Sequence, residues 1–268
     1  IEREFTWESS FNISLNRNTV LKLGPSDAPI FVTNWGTSKT EVGQPLGNYF
    51  GYVFDGVFMN QSEIDAYPHH PSTTPGDPKV LDINGDGSIN DQDRTIIGNA
   101  QPDFQWGFTN TFTYKGLDLA VTLNGSYGNE IMNSSWRYMG VYNGGRNGYA
   151  HVMNYWRSES QPGDGIHFKP YINYPGMQNE FSTMWIEDGS FLRIANVRLG
   201  YTVPEKVIRN TPISNLRFYV NVDNLHVFSS FVGYDPENSV FSDSLNSGND
   251  YGAHPIPRTI SFGVRVSL

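Results

Sequence analysis

The sequence contains no cysteine, which excludes disulfide bonds and thiolate metal sites. It also lacks any apolar run near the roughly 20 residues that a transmembrane helix needs. Basic residues are in the minority, with 18 Lys and Arg against 27 Asp and Glu, and they form no cluster suited to phosphate binding. These absences exclude a disulfide-stabilised scaffold and a helical membrane protein, and they argue against a nucleic-acid partner.

Aromatic residues and glycine, in contrast, are abundant. Phe, Trp and Tyr make up 14% of the 268 residues, and 27 residues are glycine. Both are expected where many strands end in tight turns or in aromatic girdles at a membrane interface. The composition therefore favours an all-β chain.

A β-hairpin is predicted between residues 104 and 127. Its first strand is apolar at alternate positions, namely Phe104, Trp106, Phe108, Phe112 and Tyr114. After the turn Lys115-Gly116, the second strand repeats the alternation with Leu117, Leu119, Val121 and Leu123. A period of two indicates strands with one apolar and one polar face. Such a face suits either a sheet exposed to lipid or the core of a soluble sandwich.

Further strands are predicted over residues 5–16, 46–58, 191–203, 216–228 and 260–268. From residue 46 onwards, long connections (59–103, 128–189 and 229–257) alternate strictly with short ones (115–116 and 204–215). This alternation is typical of an outer-membrane β-barrel, with long loops outside the cell and short turns in the periplasm. The long loops are therefore predicted to be extracellular and the C-terminus periplasmic.

The faces of the barrel strands follow from the same alternation. Phe108, Val121, Val220 and Val264 are predicted to face lipid, whereas Arg198, Arg217 and Arg265 are predicted to face the lumen. About seven strands are too few to close a barrel bearing such long loops. We therefore expect the remaining strands on another polypeptide or on sequence removed from this one.

Several segments resemble the C-terminal part of SusC-like TonB-dependent transporters. They are Gly76–Gly98 followed by Pro102-Asp-Phe, Phe191–Tyr201 with Pro204, Asn221–Leu225, and Gly233–Glu237. The resemblance implies that residues 1–268 are the C-terminal portion of a 22-stranded outer-membrane barrel, with the plug and the N-terminal strands absent. It implies as partners those remaining parts, a SusD-like surface lipoprotein, the TonB complex through the missing part, and membrane lipid.

The function implied is import of oligosaccharides or peptides, with no enzymatic activity. Glu187-Asp188 and Asp235 with Glu237 resemble paired catalytic carboxylates, but nothing supplies a distinct acid and base. The alternative is a secreted, calcium-dependent, carbohydrate-binding β-sandwich module.

A calcium site is predicted in the first long loop. Oxygen-bearing side chains occupy positions 1, 3, 5, 7, 9 and 12 of a calcium-loop pattern: Asp82, Asn84, Asp86, Ser88, Asn90 and Asp93. Ca²⁺ binds six to eight oxygens, and Gly87 permits the sharp turn that gathers them. A structural Ca²⁺ is therefore expected, although a turn whose Asp and Asn side chains cap their own backbone would show the same composition.

Aromatic residues are dense in the second long loop. Those predicted to contact substrate or a lipoprotein lid are Trp136, Tyr138, Tyr142, Tyr149 and Trp156. Aromatic faces combine broad apolar contact with a polar edge, which suits sugars and peptide side chains. Packing of the loop against itself is the competing interpretation for most of them.

Overall fold

The computed structural model describes residues 4–33, 37–141, 147–171, 177–237, 239 and 243–268. The strands of these residues are β1 (Phe5–Ser14), β2 (Ile30–Val32), β3 (Ser38–Thr40), β4 (Asn48–Gly51), β5 (Phe54–Val57), β6 (Pro78–Val80), β7 (Thr95–Gly98), β8 (Phe104–Tyr114), β9 (Leu117–Tyr127), β10 (Glu130–Asn133), β11 (Ile186–Asp188), β12 (Phe191–Thr202), β13 (Asn215–Ser229), β14 (Asn249–Asp250) and β15 (Thr259–Ser267). The α-helices are α1 (Gln61–Ala66), α2 (Ser134–Met139) and α3 (Glu205–Ile208), and short 3-10 segments cover Asp91–Asp93, Ala150–Asn154, Met177–Asn179 and Thr183–Trp185.

Six long strands form one antiparallel sheet in the order β1-β8-β9-β12-β13-β15. Neighbours in the sheet are also neighbours among the long strands of the chain, so the sheet is an up-and-down meander. The predicted hairpin is confirmed, because Phe104 pairs with Tyr127 and Tyr114 with Leu117 across the turn. Lys115 and Gly116 both have positive φ, as a two-residue hairpin turn of this twist requires.

The sheet register places apolar side chains in rows that cross all six strands. One row of directly paired residues is Trp7, Phe112, Leu119, Leu199, Val220 and Phe262. No described segment covers this face: Phe262 is 81% exposed and Val264 is 60% exposed. A β-sandwich would bury such a face against a second sheet. The sandwich alternative is therefore wrong for this fold.

The opposite face of the sheet is polar. The neighbouring row consists of Glu8, Thr111, Ala120, Arg198, Asn221 and Ser261. On this face the Nη2 atom of Arg217 lies 2.7 Å from Asp118 Oδ2 and so links β13 to β9 across β12. The predicted division of faces is confirmed, because Val220 and Val264 share the apolar side whereas Arg198 and Arg217 share the polar side.

The predicted strand over residues 46–58 is wrong as a member of this sheet. Its residues form β4 and β5, which pair with short strands of the loops. Within this segment Gly51 lies against the backbone of Phe181, an approach that excludes a side chain and is typical of a glycine inside a strand pattern. The long connections between sheet strands therefore cover residues 15–103, 128–190 and 230–258, and the short ones cover 115–116 and 203–214.

The three long connections pack together into what we call the loop layer. They contain three small sheets, in the orders β2-β3-β4-β7, β11-β10-β14 and β5-β6. The main apolar core lies here and is built from buried residues of separate loops, namely Tyr49, Val57, Met132, Val141, Phe168, Phe181 and Trp185. The long loops are thus a folded unit with its own core. No helix among the described residues has the length and apolar character needed to cross a membrane.

Tyr49 connects all three long loops. Its side chain is fully buried, and its Oη atom lies 3.1 Å from the carbonyl oxygen of Glu130 and 2.9 Å from that of Gly248. Burial raises the pKa of Tyr49 well above its usual value, so the hydroxyl keeps its proton and remains a donor. One side chain therefore joins β4, β10 and the segment before β14.

Replacing Tyr49 by Phe removes this donor while keeping the ring in the core. We expect the local unfolding free energy of residues 130–133 and 246–250 to fall by about 1 kcal/mol, because Gly248 retains its hydrogen bond from the Met132 amide. Hydrogen exchange on the full-length protein should show faster exchange in these segments. Tyr67→Phe is the control, because the hydroxyl of Tyr67 donates a hydrogen bond to the exposed Asp55 and not to the other loops. Unchanged protection in the Tyr49 variant would contradict the assigned role.

Candidate functional site

The residues predicted to bind metal lie in the loop layer, as do the described residues predicted to contact substrate. The calcium-type loop joins β6 to β7 and closes on its own side chains. Asp82 accepts hydrogen bonds from the amides of Gly85 at 2.7 Å and Gly87 at 2.8 Å. Asp86 accepts one from the Ser88 amide at 2.8 Å and another from the Asn84 side chain at 2.9 Å.

The end of this loop is anchored more deeply than its start. Asp93 is fully buried, and its two carboxylate oxygens accept hydrogen bonds from the amides of Ile83 at 3.0 Å and Asn90 at 2.8 Å. Asn90 caps the 3-10 segment that contains Asp93, and the two residues form a capping box. Ile89 is buried against Tyr52 and Val80. The sequence analysis did not predict this hydrophobic anchor. Its signal in the sequence is a single apolar residue, Ile89, between the predicted ligands Ser88 and Asn90.

The residues fit calcium in their chemistry, because the set is all oxygen and includes three carboxylates. Hydrogen bonds from Asn84 and Ser88 lower the pKa of Asp86, which keeps it ionised as a metal ligand must be. In the described part of the chain, however, no three or more His, Asp or Glu side chains converge on one point. The loop resembles the self-capped turn, and the Asn84 amide would have to turn its oxygen inwards to bind a cation.

Two of the predicted aromatic contacts lie at the edge of the buried core. Trp136 packs edge-to-face on Trp185 with 6.5 Å between ring centroids. Trp156 also packs against the core and donates a hydrogen bond from Nε1 to the carbonyl oxygen of Met59 at 3.1 Å. Both side chains are half-buried, so packing of the loop layer accounts for much of their surface.

The other predicted aromatic residues are distributed around this core. Tyr138 packs edge-to-face on Tyr251 with 5.2 Å between centroids, and Tyr149 stacks on His151 at 5.4 Å. Tyr142 lies outside the described residues. Substrate or lid contact by these side chains remains a prediction.

An arginine that the sequence analysis did not assign to a site links the sheet to the third long loop. Arg193 is 4% exposed, and its guanidinium lies 2.7 Å from Asp235 and 2.9 Å from Glu237. It also donates to Asn224 Oδ1 at 2.5 Å. Asn224 has positive φ and lies where β12 and β13 change register. The contact thus joins three of the segments that carried the family resemblance.

Comparison with known proteins identifies the relatives of this chain. It is 30% identical over 99% of its length to TonB-dependent receptor P3 of Formosa agariphila, and 32% identical over 98% to TonB-dependent receptor P26 of the same organism. It is 24% identical over its full length to TonB-dependent receptor SusC of Bacteroides thetaiotaomicron. The resemblance to SusC-like TonB-dependent receptors is confirmed. No protein-family profile matches the sequence.

Solved structures show the same fold. The chain superimposes on the RagAB peptide transporter with a TM-score of 0.78 and 20% identity, covering 99% of this chain and 27% of that one. The RagAB peptide importer in its closed-closed state matches with a TM-score of 0.75. The expected fold, an antiparallel all-β part of a TonB-dependent barrel, is confirmed.

The chain spans about a quarter of the length of its relatives, 27% for the two Formosa receptors and 25% for SusC. These relatives are receptors rather than enzymes, which confirms the expectation that the SusC-like chain is not an enzyme. Neither carboxylate pair considered in the sequence is arranged for hydrolysis: Asp235 and Glu237 bind Arg193, and Glu187 accepts from the amide of Val232 and the side chain of Asn133.

Replacing Arg193 by Met leaves Asp235 buried without its cation. Breaking a buried pair in this way costs about 3–5 kcal/mol. We expect this cost to appear as local opening of residues 233–237, detected by limited proteolysis of the full-length protein. The matched control is Arg198→Met on the same strand, where the side chain is exposed. Equal cleavage of the two variants would show that Arg193 does not hold this loop.

Proposed function

We propose that this chain is the C-terminal part of an outer-membrane TonB-dependent importer. The observation that carries the proposal is the six-stranded sheet with one exposed apolar face, one polar face, short turns at one end and a folded loop layer at the other. Homology to TonB-dependent receptors over the whole chain supports it. In this proposal the apolar face contacts membrane lipid and the polar face lines the lumen.

The dimensions of the sheet suit a membrane. The strands β8 and β9 contain 11 residues each, and a tilted strand crosses the hydrocarbon with about 9–11 residues. Aromatic side chains lie at both ends of the apolar face. Phe104 and Tyr127 stack at the loop end with 5.3 Å between centroids, and Tyr114 and Tyr201 lie near the short turns. Aromatic girdles at the two interfaces have this arrangement.

The edges of the sheet require further strands. Among the described strands, both β1 and β15 are paired on one side only, which leaves a row of their backbone groups without a strand partner there. In hydrocarbon each such group costs several kcal/mol, so a spanning sheet has to close into a barrel. We propose that the remaining N-terminal strands and plug of the same transporter complete it, and that the TonB complex acts through that part.

The loop layer is proposed to be extracellular and the C-terminus periplasmic, because long loops of such barrels face outwards. A SusD-like lipoprotein is the proposed partner of this layer. RagAB transports peptides, so peptides are one substrate class to test. Oligosaccharides are the other, since half-exposed aromatic faces such as that of Tyr149 suit either.

The lipid face is tested by placing a charge on either side of β15 in the full-length protein. Val264→Arg puts a cation on the apolar face, which costs about 2–4 kcal/mol near the bilayer centre. We expect its amount in the outer membrane to fall, whereas Ser261→Arg, on the polar face of the same strand, should assemble normally. Equal assembly of the two variants would overturn the assignment of faces.

Import itself is tested in the native host. Deletion of the gene should abolish growth on one panel of substrates, either peptides or oligosaccharides, as sole nutrient. The Ser261→Arg protein should restore that growth and the Val264→Arg protein should not. Normal growth of the deletion strain on both panels would contradict the import proposal.

We also propose that the loop from Asp82 to Asp93 binds one structural Ca²⁺. Asp82, Asn84, Asp86 and Asp93 would supply side-chain oxygens, Ser88 its backbone carbonyl, and Asn90 would complete the set. Asp91, which is not among the proposed ligands, is the loop carboxylate that pairs with Arg94, and the proposed ligands Asp82, Asp86 and Asp93 place three carboxylates in one short loop, which supports the proposal.

Asp86→Ala removes one carboxylate that is exposed and hence dispensable for packing. We expect the bound Ca²⁺ to be lost and residues 76–98 to exchange hydrogen faster, while the main sheet stays protected. Calcium titration followed by hydrogen exchange measures both effects, with Asp65→Ala on α1 as the exposed control. Wild-type protein that binds no Ca²⁺ at millimolar concentration would favour the self-capped turn.

A further inference from the structure

Two histidines of the loop layer lie side by side. His151 is in the 3-10 segment Ala150–Asn154, and His167 follows the turn at Asp164. Their ring centroids are 5.0 Å apart and the ring planes are tilted by 49°. Backbone hydrogen bonds hold the two segments together, from the Asp164 amide to Asn154 O at 3.0 Å and from the Trp156 amide to His167 O at 2.9 Å.

The tautomer of His167 is set by Asp164. The Nδ1 atom of His167 lies 2.6 Å from the carboxylate oxygen Oδ2 of Asp164, so Nδ1 carries a proton and donates it. In the neutral ring, Nε2 then has a free lone pair. Metal-binding histidines are oriented in the same way by a carboxylate on the other ring nitrogen.

Both Nε2 atoms are buried and have no hydrogen-bond partner. The side chain of His167 is only 7% exposed. Buried polar atoms are almost always hydrogen-bonded, and an exception calls for a bound ion or water. Two such atoms on neighbouring rings indicate one shared ligand.

Aromatic rings pack around His151. The ring of Trp136 meets His151 edge-on at 5.8 Å, and Tyr149 stacks on its face at 5.4 Å. The nitrogen of the Trp136 indole packs against Gly140 and donates only, so it is no competing ligand.

We propose that the Nε2 atoms of His151 and His167 bind one divalent transition-metal ion of the zinc class, with Asp164 orienting His167. Because a Zn–N bond is about 2.1 Å long, each ring centroid would lie about 3.2 Å from the metal. A tetrahedral angle then separates the centroids by about 5.2 Å, close to the observed spacing. Imidazole prefers such metals, whereas Ca²⁺ prefers oxygen, so this site differs from the Asp82–Asp93 loop.

Water completes the coordination in this proposal. Among the side chains that the structure describes, no third His, Asp or Glu joins the pair to make a larger metal cluster. The ion would crosslink the segment around Ala150–Asn154 to the segment around His167. Its role is therefore structural, and the site does not depend on which nutrient the protein handles.

The test measures Zn²⁺ binding to untagged, full-length protein purified in detergent, with saturating Ca²⁺ to fill the oxygen loop. We expect one Zn²⁺ per chain, lost in His151→Gln and in His167→Gln. Asp164→Asn should weaken binding by about 10- to 100-fold, because only the orienting group changes. His70→Gln is the control, since His70 bonds Ser72 away from the pair.

Folding of each variant is checked by its heat-modifiable migration on gels. Should one His variant fail to fold, the other His variant and Asp164→Asn decide the outcome. Absence of stoichiometric Zn²⁺ in the wild-type protein would mean that water serves the two nitrogens, and the proposal would fail. It would equally fail if folded variants at positions 151, 164 and 167 all bound Zn²⁺ as tightly as the His70 control.

Discussion

An apolar sheet face without protein cover is the constraint on which this structure depends. Burying large side chains against protein is the usual source of stability, yet here Phe262 and Val264 point away from the polypeptide. Such a sheet is stable only where the surroundings are themselves apolar, and there each backbone group must be paired. The proposed membrane insertion and the proposed completion by further strands both rest on this constraint.

The chain consequently divides its stabilising interactions between two regions. The sheet relies on the hydrogen-bond ladders of its long strands and on cross-strand polar pairs such as Arg217 with Asp118. The loop layer relies on an ordinary buried core around Trp185 and Met132. Tyr49 joins the loops to one another, and Arg193 joins them to the sheet. A loop layer held by such contacts presents a defined surface, which a partner or substrate can recognise.

Both proposed ion sites lie in the same layer. The Asp82–Asp93 loop offers only oxygen, and the His151–His167 pair offers nitrogen, so the two proposed sites would select different metals. Each would stabilise a local segment rather than the sheet.

The sequence alone determined that the chain is all-β, because a period of two is imposed by strand geometry wherever one face is apolar. The hairpin from Phe104 to Tyr127 and the division between Val220 and Arg198 follow from that local rule. The segments that resemble SusC-like TonB-dependent transporters can also be recognised in the sequence without knowledge of any contact.

Only the tertiary structure determined which residues from distant segments are in contact. Residues 46–58 are aromatic and strand-like in sequence, yet they pair with short strands of the loop layer, where Gly51 lies against the backbone of Phe181. The neighbours of Arg193 and of His151 come from other segments, because chain reversals bring together residues that are distant in sequence. Periodicity reports only which way a side chain points along one strand. Which groups meet depends on how the loops fold over the sheet.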